Sequence, residues 1–249
     1  MLMTAKSKMF RHGRLLVAVF VLLAFSATAA NAAVRTVGAT KGFELPDITN
    51  VNDCRVFTRA TAFQLKSSAQ PEYKKLSRVP VDGTMIAWSV ALPKITSVCI
   101  TGFDNGYYGA ASARISVLRR APRKGKPYHR YKLVAQSPSV QLRSYFGINP
   151  SYALNTPLPV KRNDIIAVTT ETWFPAFSFR PEDAGSTYRA SRPANKCDMN
   201  KSDNYINAKT ARMHMKVDQI RTYGCGYTGA RLLYNATIVD TPVKTKGYK

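Results

Sequence analysis

Alternation of apolar and polar positions organises this chain. At residues 113–119, Ile115 and Val117 share one face, with Arg114, Ser116 and Leu118 on the other. Tyr131, Leu133 and Ala135 likewise alternate with Arg130, Lys132 and Val134. A period of two marks a strand with one buried face. The stretch 158–172 (LPVKRNDIIAVTTET) joins two such runs. Lys161-Arg162-Asn163-Asp164 supplies a polar turn, because Asn and Asp fold their side chains onto the local backbone. The β-branched run 165–172 then favours an extended chain.

The same grammar predicts strands at 54–65, 84–92, 96–103, 140–146, 152–160 and 232–239. Another is expected where Met213, Met215 and Val217 alternate with Arg212, His214 and Lys216. Residues 67–78 contain Pro71 and read as a loop, and Val79-Pro-Val-Asp-Gly83 reads as a turn. Asp104-Asn-Gly106 reads as a compact hairpin turn closing the 96–103 strand. Residues from Arg180 to about Thr210 turn polar. No amphipathic helix stands out. About ten short strands separated by turns predict an all-β fold, a single antiparallel β-sandwich or jelly-roll-like domain. At 249 residues the chain is long enough to bury a substantial core.

Residues 1–32 are expected to be an export signal rather than fold. Lys6, Lys8, Arg11 and Arg14 precede the apolar stretch 15–25 (LLVAVFVLLAF), and Ala30-Asn31-Ala32 offers a cleavage site. The apolar stretch is shorter than the about 20 residues of a spanning helix, and no later segment is long and apolar enough. The expected organisation is a signal peptide at 1–32, a flexible leader at 33–52, a sandwich domain at 53–240 and a basic tail at 241–249. Four cysteines, Cys54, Cys99, Cys197 and Cys225, fit an oxidising destination. Three pairings are possible, and Cys54–Cys99 with Cys197–Cys225 is the sequence-local expectation.

Several of these runs together carry a likeness. VPVDGTMIAW, ARISVLRR, YKLVAQS, TPLPVKRNDIIAV, Cys197 and LLYNATIV occur in that order. The arrangement resembles a group of secreted actinobacterial β-sandwich proteins over roughly residues 54–240. Asn163 stands where that pattern usually has Gly, which a left-handed turn residue tolerates. The resemblance implies fold and export, and carries no catalytic residue over.

Charge changes the picture most. The sequence holds 37 Lys and Arg against 14 Asp and Glu, a formal net charge of +23. Such an excess attracts polyanions or serves solubility. The densest run is Arg119, Arg120, Arg123, Lys124, Lys126, Arg130 and Lys132, with no acid among them. Pro122, Gly125 and Pro127 make its middle a loop between two strands. These cations are the candidate binding site, directed at phosphates or carboxylates, with Tyr128 and Tyr131 available for stacking. Export makes an anionic cell-wall polymer or polysaccharide the expected partner, ahead of nucleic acid. The same charges would also suit a solvated edge that prevents strand-to-strand aggregation.

Catalytic signals are sparse. Neither HExxH nor GxSxG occurs, and no cofactor motif is present. His129 and His214 lack an evident orienting partner for acid–base work. Glu171 with Glu182 or Asp183 is the best carboxylate pair, beside Trp173, Phe174, Phe177 and Phe179 where a sugar could stack. This defines the alternative, a carbohydrate-binding or carbohydrate-active module at residues 171–183. Asp198, Asn200 and Asp203 offer oxygen ligands without the glycine and distal glutamate of an EF-hand loop. Tyr107-Tyr108 form a candidate aromatic platform. Asn235-Ala-Thr237 matches a glycosylation sequon inside an apolar strand.

Overall fold

The structure is a computed structural model that describes residues 32–41, 43, 45, 55–71, 75–125, 129–194, 197 and 212–241. In chain order its elements begin with β1 (Val34–Gly38), β2 (Phe57–Thr58), β3 (Thr61–Lys66) and β4 (Gly83–Val90). Helix α1 (Ser97–Gly106) follows, then β5 (Ser112–Arg120), β6 (Arg130–Gln136), β7 (Val140–Gln141), β8 (Ser151–Val160) and β9 (Ile165–Thr169). The remainder is β10 (Trp173–Phe174), β11 (Phe177–Ser178), β12 (Thr187–Ala190), β13 (Ile220–Thr222), β14 (Cys225–Thr228), β15 (Arg231–Leu232) and β16 (Tyr234–Asp240).

The fold is an antiparallel β-sandwich. One sheet has the order β1-β16-β4-β8, and the larger has β13-β6-β5-β9-β3-β12-β14, with β7 also pairing β5. Eight strands form the frame: β1, β3, β4, β5, β6, β8, β9 and β16. The first pairs with the eighth, the second with the seventh, the third with the sixth and the fourth with the fifth. That nesting is the signature of a hairpin folded over on itself, the jelly roll. Residues 170–233 are an insert before the last strand. The insert adds β12 and β14 beside β3, and β13 beside β6.

The main core lies between the sheets. Met85, Trp88 and Val90 of β4 and Ala236 and Ile238 of β16 pack with Ile115 and Val117 of β5 and Ile166 and Val168 of β9. Each fully buried side chain of this size contributes about 1.5–3 kcal/mol. A second cluster occupies the opposite face of the larger sheet: Phe63, Leu118, Tyr131, Leu133, Ile165 and Ala167, capped by Met215 and Tyr223 from the insert. Both faces of the larger sheet are therefore covered, which corrects the expectation of one buried face for β5: Ser116 and Leu118 are buried as fully as Ile115 and Val117.

The turn at 161–164 carries the chain from one sheet to the other, since β8 pairs with β4 whereas β9 pairs with β5 and β3. The buried Asp164 carboxylate accepts from the Lys161 backbone N–H (2.8 Å) and from Arg119 Nε (2.8 Å) and Nη2 (2.7 Å). Asn163 adopts φ +75°, the left-handed conformation in which Asn substitutes for Gly. Gly83 is needed for a different reason. A Cβ there would meet the Val239 carbonyl oxygen at 2.4 Å, across the β4–β16 ladder.

Several expectations are corrected. The 33–52 leader contains a frame strand: β1 pairs with β16 from Val34↔Val239 to Gly38↔Asn235, and the compact unit spans 32–241. Residues 96–103 form α1 rather than a strand, and Asp104 to Gly106 belong to its end rather than to a hairpin turn. Thr96 caps the helix, its Oγ1 accepting from the Cys99 N–H (3.4 Å). Cys99 and Phe103, one turn apart, are both buried, so tertiary packing overrides the strand preference of the β-branched residues. The 140–146 strand shortens to β7 followed by a 3₁₀ turn at Arg143–Tyr145. Met213 makes a single parallel bridge to Ala60 instead of beginning a strand, and Val217 is exposed.

Cys197 and Cys225 are bonded, with Cα atoms 5.3 Å apart. Cys99 is also disulfide-bonded, whereas Cys54 lies outside the described residues. So do residues 1–31 of the expected signal and residues 242–249 of the expected tail. Among the described residues no helix is long and apolar enough to cross a membrane.

Candidate anion-binding site

The basic run occupies the β5–β6 hairpin, where Arg119 faces Lys132 and Arg120 faces Tyr131 in register. Its six described cations divide into different roles. Arg119 does not simply project into water, because it holds Asp164 and the turn between the sheets. Lys132 pairs with Asp218 at 2.7 Å, both largely solvated, an arrangement that contributes little to stability. Arg130 Nη1 donates to the Ala121 carbonyl (3.2 Å) and closes the hairpin base. Arg123 and Lys124 are exposed beside Gly125, whose φ of +68° forms the turn. Lys126 and Tyr128 lie outside the described residues. Arg120, on the opposite strand face from Arg119, turns into a pocket.

That pocket opens where β3 and β9 diverge. Their ladder covers only Thr61↔Thr169 and Ala62↔Val168. Beyond it, β3 continues along β12, while β9 takes up residues 77–79: the Ile166 N–H donates to the Ser77 carbonyl (2.8 Å), and Val79 N–H donates to the Asp164 carbonyl (2.9 Å). The resulting cavity measures about 220 Å³. Phe63, Leu65, Tyr131 and Ile165 give it an apolar floor, and Lys75, Arg78, Arg120 and His129 surround the floor with no acidic side chain in the lining.

The floor is rigid. Phe63, Tyr131 and Tyr223 form a triangle of rings with centroids 5.2–5.4 Å apart. Arg189 braces it from β12, its Nη1 donating to the Tyr223 carbonyl (2.9 Å). Burial, followed by the positive charges of Arg189 and Arg120, pushes the His129 pKa below the usual histidine value. His129 is therefore mainly neutral at pH 7.

A polar chain ties the insert over this face. Ser116 Oγ, Thr169 Oγ1 and Thr61 Oγ1 follow one another at 2.8 Å, and the Met215 N–H donates to Thr61 Oγ1 (3.0 Å). The Cys197–Cys225 bond fixes the other end of the excursion, next to Gly224, whose N–H donates to the Arg192 carbonyl (2.8 Å).

The 171–183 region is arranged differently. Trp173 and Phe174 are completely buried and Phe177 nearly so, leaving Phe179 exposed. Trp173 Nε1 donates to Asp104 Oδ1 (3.0 Å) and the Gly109 carbonyl (3.1 Å). Glu171 is bound by Arg114. Asp183 and Arg231 form an ion pair at 2.7 Å with both side chains wholly buried, and Ser178 Oγ also donates to Asp183. The aromatic and carboxylate groups thus do not converge on a cleft.

Tyr107 is buried and Tyr108 is exposed under the Arg59 guanidinium, 4.0 Å from its ring centroid. His214 has its pKa lowered, chiefly by burial; nearby Glu171 opposes this, while Arg114, Arg59 and Arg212 reinforce it. Asn235 Nδ2 is engaged with the Ala39 carbonyl (2.8 Å). Asp198, Asn200 and Asp203 lie outside the described residues. Sequence reasoning reached Arg120 and Tyr131 but missed Lys75, Arg78 and the role of His129. Only the loss of the β3–β9 ladder brings those residues to the hairpin. Comparison with protein-family models, with curated proteins and with solved structures finds no match.

Proposed function

We propose that this protein is an exported, non-catalytic jelly-roll protein that binds an anionic extracellular polymer, such as an acidic cell-envelope polysaccharide, through the 119–132 hairpin and the pocket at its base. One observation carries the reading: Lys75, Arg78 and Arg120 converge on a cavity without a carboxylate, beside the exposed Arg123 and Lys124. Other arginines face acids directly, as at Arg119–Asp164 and Arg231–Asp183. A lining of cationic and apolar side chains without a carboxylate favours a negatively charged guest. The N-terminal pattern, the disulfide and the resemblance to secreted β-sandwich proteins fit the same setting. The alternative, a carbohydrate-binding or carbohydrate-active module at residues 171–183, is less well supported, since Trp173, Phe174 and Phe177 are core and Phe179 alone of the four rings is exposed.

The test compares soluble polygalacturonate with neutral dextran. The protein is expected to bind the polyuronate in low salt and to ignore dextran. Changing Arg120, Arg123 and Lys124 to Ser should weaken the polyuronate interaction at least tenfold. Equal affinity for both polymers would overturn the proposal.

A further inference from the structure

The cavity volume places a bound on the guest. About 220 Å³ holds roughly seven waters at about 30 Å³ each. Pockets for drug-sized ligands begin at about 300 Å³. The enclosed part of the site matches one small residue of a polymer. Its two halves also differ in chemistry. Phe63, Leu65, Tyr131 and Ile165 supply apolar lining, whereas Arg78, Arg120 and Lys75 supply donors around it. The Arg78 Nε is buried without a hydrogen-bond partner among the described residues, and only a long 3.4 Å contact joins its Nη1 to Asn163. With Nε buried and Nη1 only weakly engaged, the outer edge of the Arg78 guanidinium is the part that can donate to a planar or tetrahedral oxyanion in the cavity.

We infer that the pocket is a subsite for a single acidic sugar, with the C–H face of the ring on the Tyr131–Ile165 floor and its carboxylate or phosphate against Arg78 and Arg120. The inference rests on the polymer-binding reading and adds to it. The hairpin tip supplies diffuse attraction to any polyanion, while the pocket distinguishes one residue type within the polymer. Both halves of the guest matter: an anion alone leaves the floor unfilled, and a neutral sugar leaves the guanidinium unanswered.

The purified, oxidised protein is titrated by calorimetry and two-dimensional NMR with glucuronate, glucose 6-phosphate, glucose and inorganic phosphate. At least one of the two acidic sugars should bind saturably and shift the Tyr131 and His129 signals, and which one binds distinguishes carboxylate from phosphate recognition. Glucose and inorganic phosphate should each bind at least tenfold more weakly. Arg78→Gln should weaken the acidic sugar at least tenfold. Lys75→Gln, on an exposed side chain, should weaken it about threefold and remain informative if the Arg78 variant fails to fold.

No saturable binding of either acidic sugar, equal binding of inorganic phosphate, or indifference to both variants would overturn the inference. Polygalacturonate binding by the same preparation separates the two proposals. If it persists without acidic-sugar binding, only the subsite is lost. If it too is absent, the underlying reading is lost.

Discussion

The 171–183 region and the 119–132 hairpin contain similar raw materials, aromatic rings beside charged groups, and the fold uses them in opposite ways. In the first, every acid has a cation and three of the four rings are interior: Asp183 is locked to Arg231, Glu171 to Arg114, and Trp173 is buried with its indole N–H satisfied. In the second, acids are scarce, and Arg120 and Arg78 border an open cavity. The difference is one of location. The first region enters the core through β10 and β11, whereas the second extends from the ends of two strands beside a gap in the larger sheet. A charged cluster becomes a candidate site through the placement of its countercharges rather than its own density.

This contrast predicts opposite responses to mutation. The largest effects belong to the first region. Trp173→Ala empties a fully buried site and is expected to cost about 3–5 kcal/mol. Asp183→Asn leaves Arg231 as an uncompensated buried charge, with a cost of about 3–5 kcal/mol. Denaturant unfolding measures both. A loss below about 1 kcal/mol would mean that this region is not the structural element described.

Replacing Cys197 and Cys225 together by Ser should cost about 2–4 kcal/mol, also read by unfolding. A smaller effect is expected at the turn between the sheets. Asn163→Gly should be nearly neutral, whereas Asn163→Val should cost about 1–2 kcal/mol because a β-branched residue must then hold the left-handed conformation. By contrast, Arg123→Ser with Lys124→Ser should leave the melting temperature unchanged while weakening polymer binding.

The smallest effect is that of pH. His129 feels the charges of Arg189 and Arg120 and shares its pocket with Lys75, Arg78 and Tyr131, and its pKa in the folded protein lies below the ordinary value of about 6.5. A depressed histidine pKa means that the unfolded chain takes up the proton first. Its contribution to stability is therefore complete above about pH 6.5 and declines as the solution becomes more acidic. An anion in the pocket favours protonated His129, so ligand affinity should rise a few-fold between pH 7 and pH 5. Calorimetric titration across that range checks the sign. His129→Gln should flatten the profile.

Much of the frame was legible in the sequence because jelly-roll strands have two-residue periodicity, and the turn at 161–164 announced itself through Asn163 and Asp164. The alternation at Ile115 and Val117 assigned their faces correctly. The register irregularity between Val117 and Leu118 was invisible, since a bulge has no simple residue signature. Residues 96–103 misled because Val98, Ile100 and Thr101 prefer strands, while the helix depends on the distant burial of Cys99 and Phe103. β1 was missed for a related reason: it is short, polar on its exposed side and held mainly by its ladder to β16. At the site, the hairpin cations were legible as a run, but their division was not. Arg119 and Arg120 are adjacent in sequence, yet one braces a turn and the other lines a pocket, a consequence of strand geometry together with contacts far along the chain.

The central claim is tested most directly by retention of the oxidised protein on purified bacterial cell wall across a salt series, with and without the substitutions Arg120→Ser, Arg123→Ser and Lys124→Ser. Arg119 is left intact to preserve its pair with Asp164. Because salt screens solvated charges within about 8 Å at physiological ionic strength, the account predicts strong retention at low salt, loss at moderate salt and little retention of the folded variant at any salt. Retention that is equal for both proteins and indifferent to salt would contradict it.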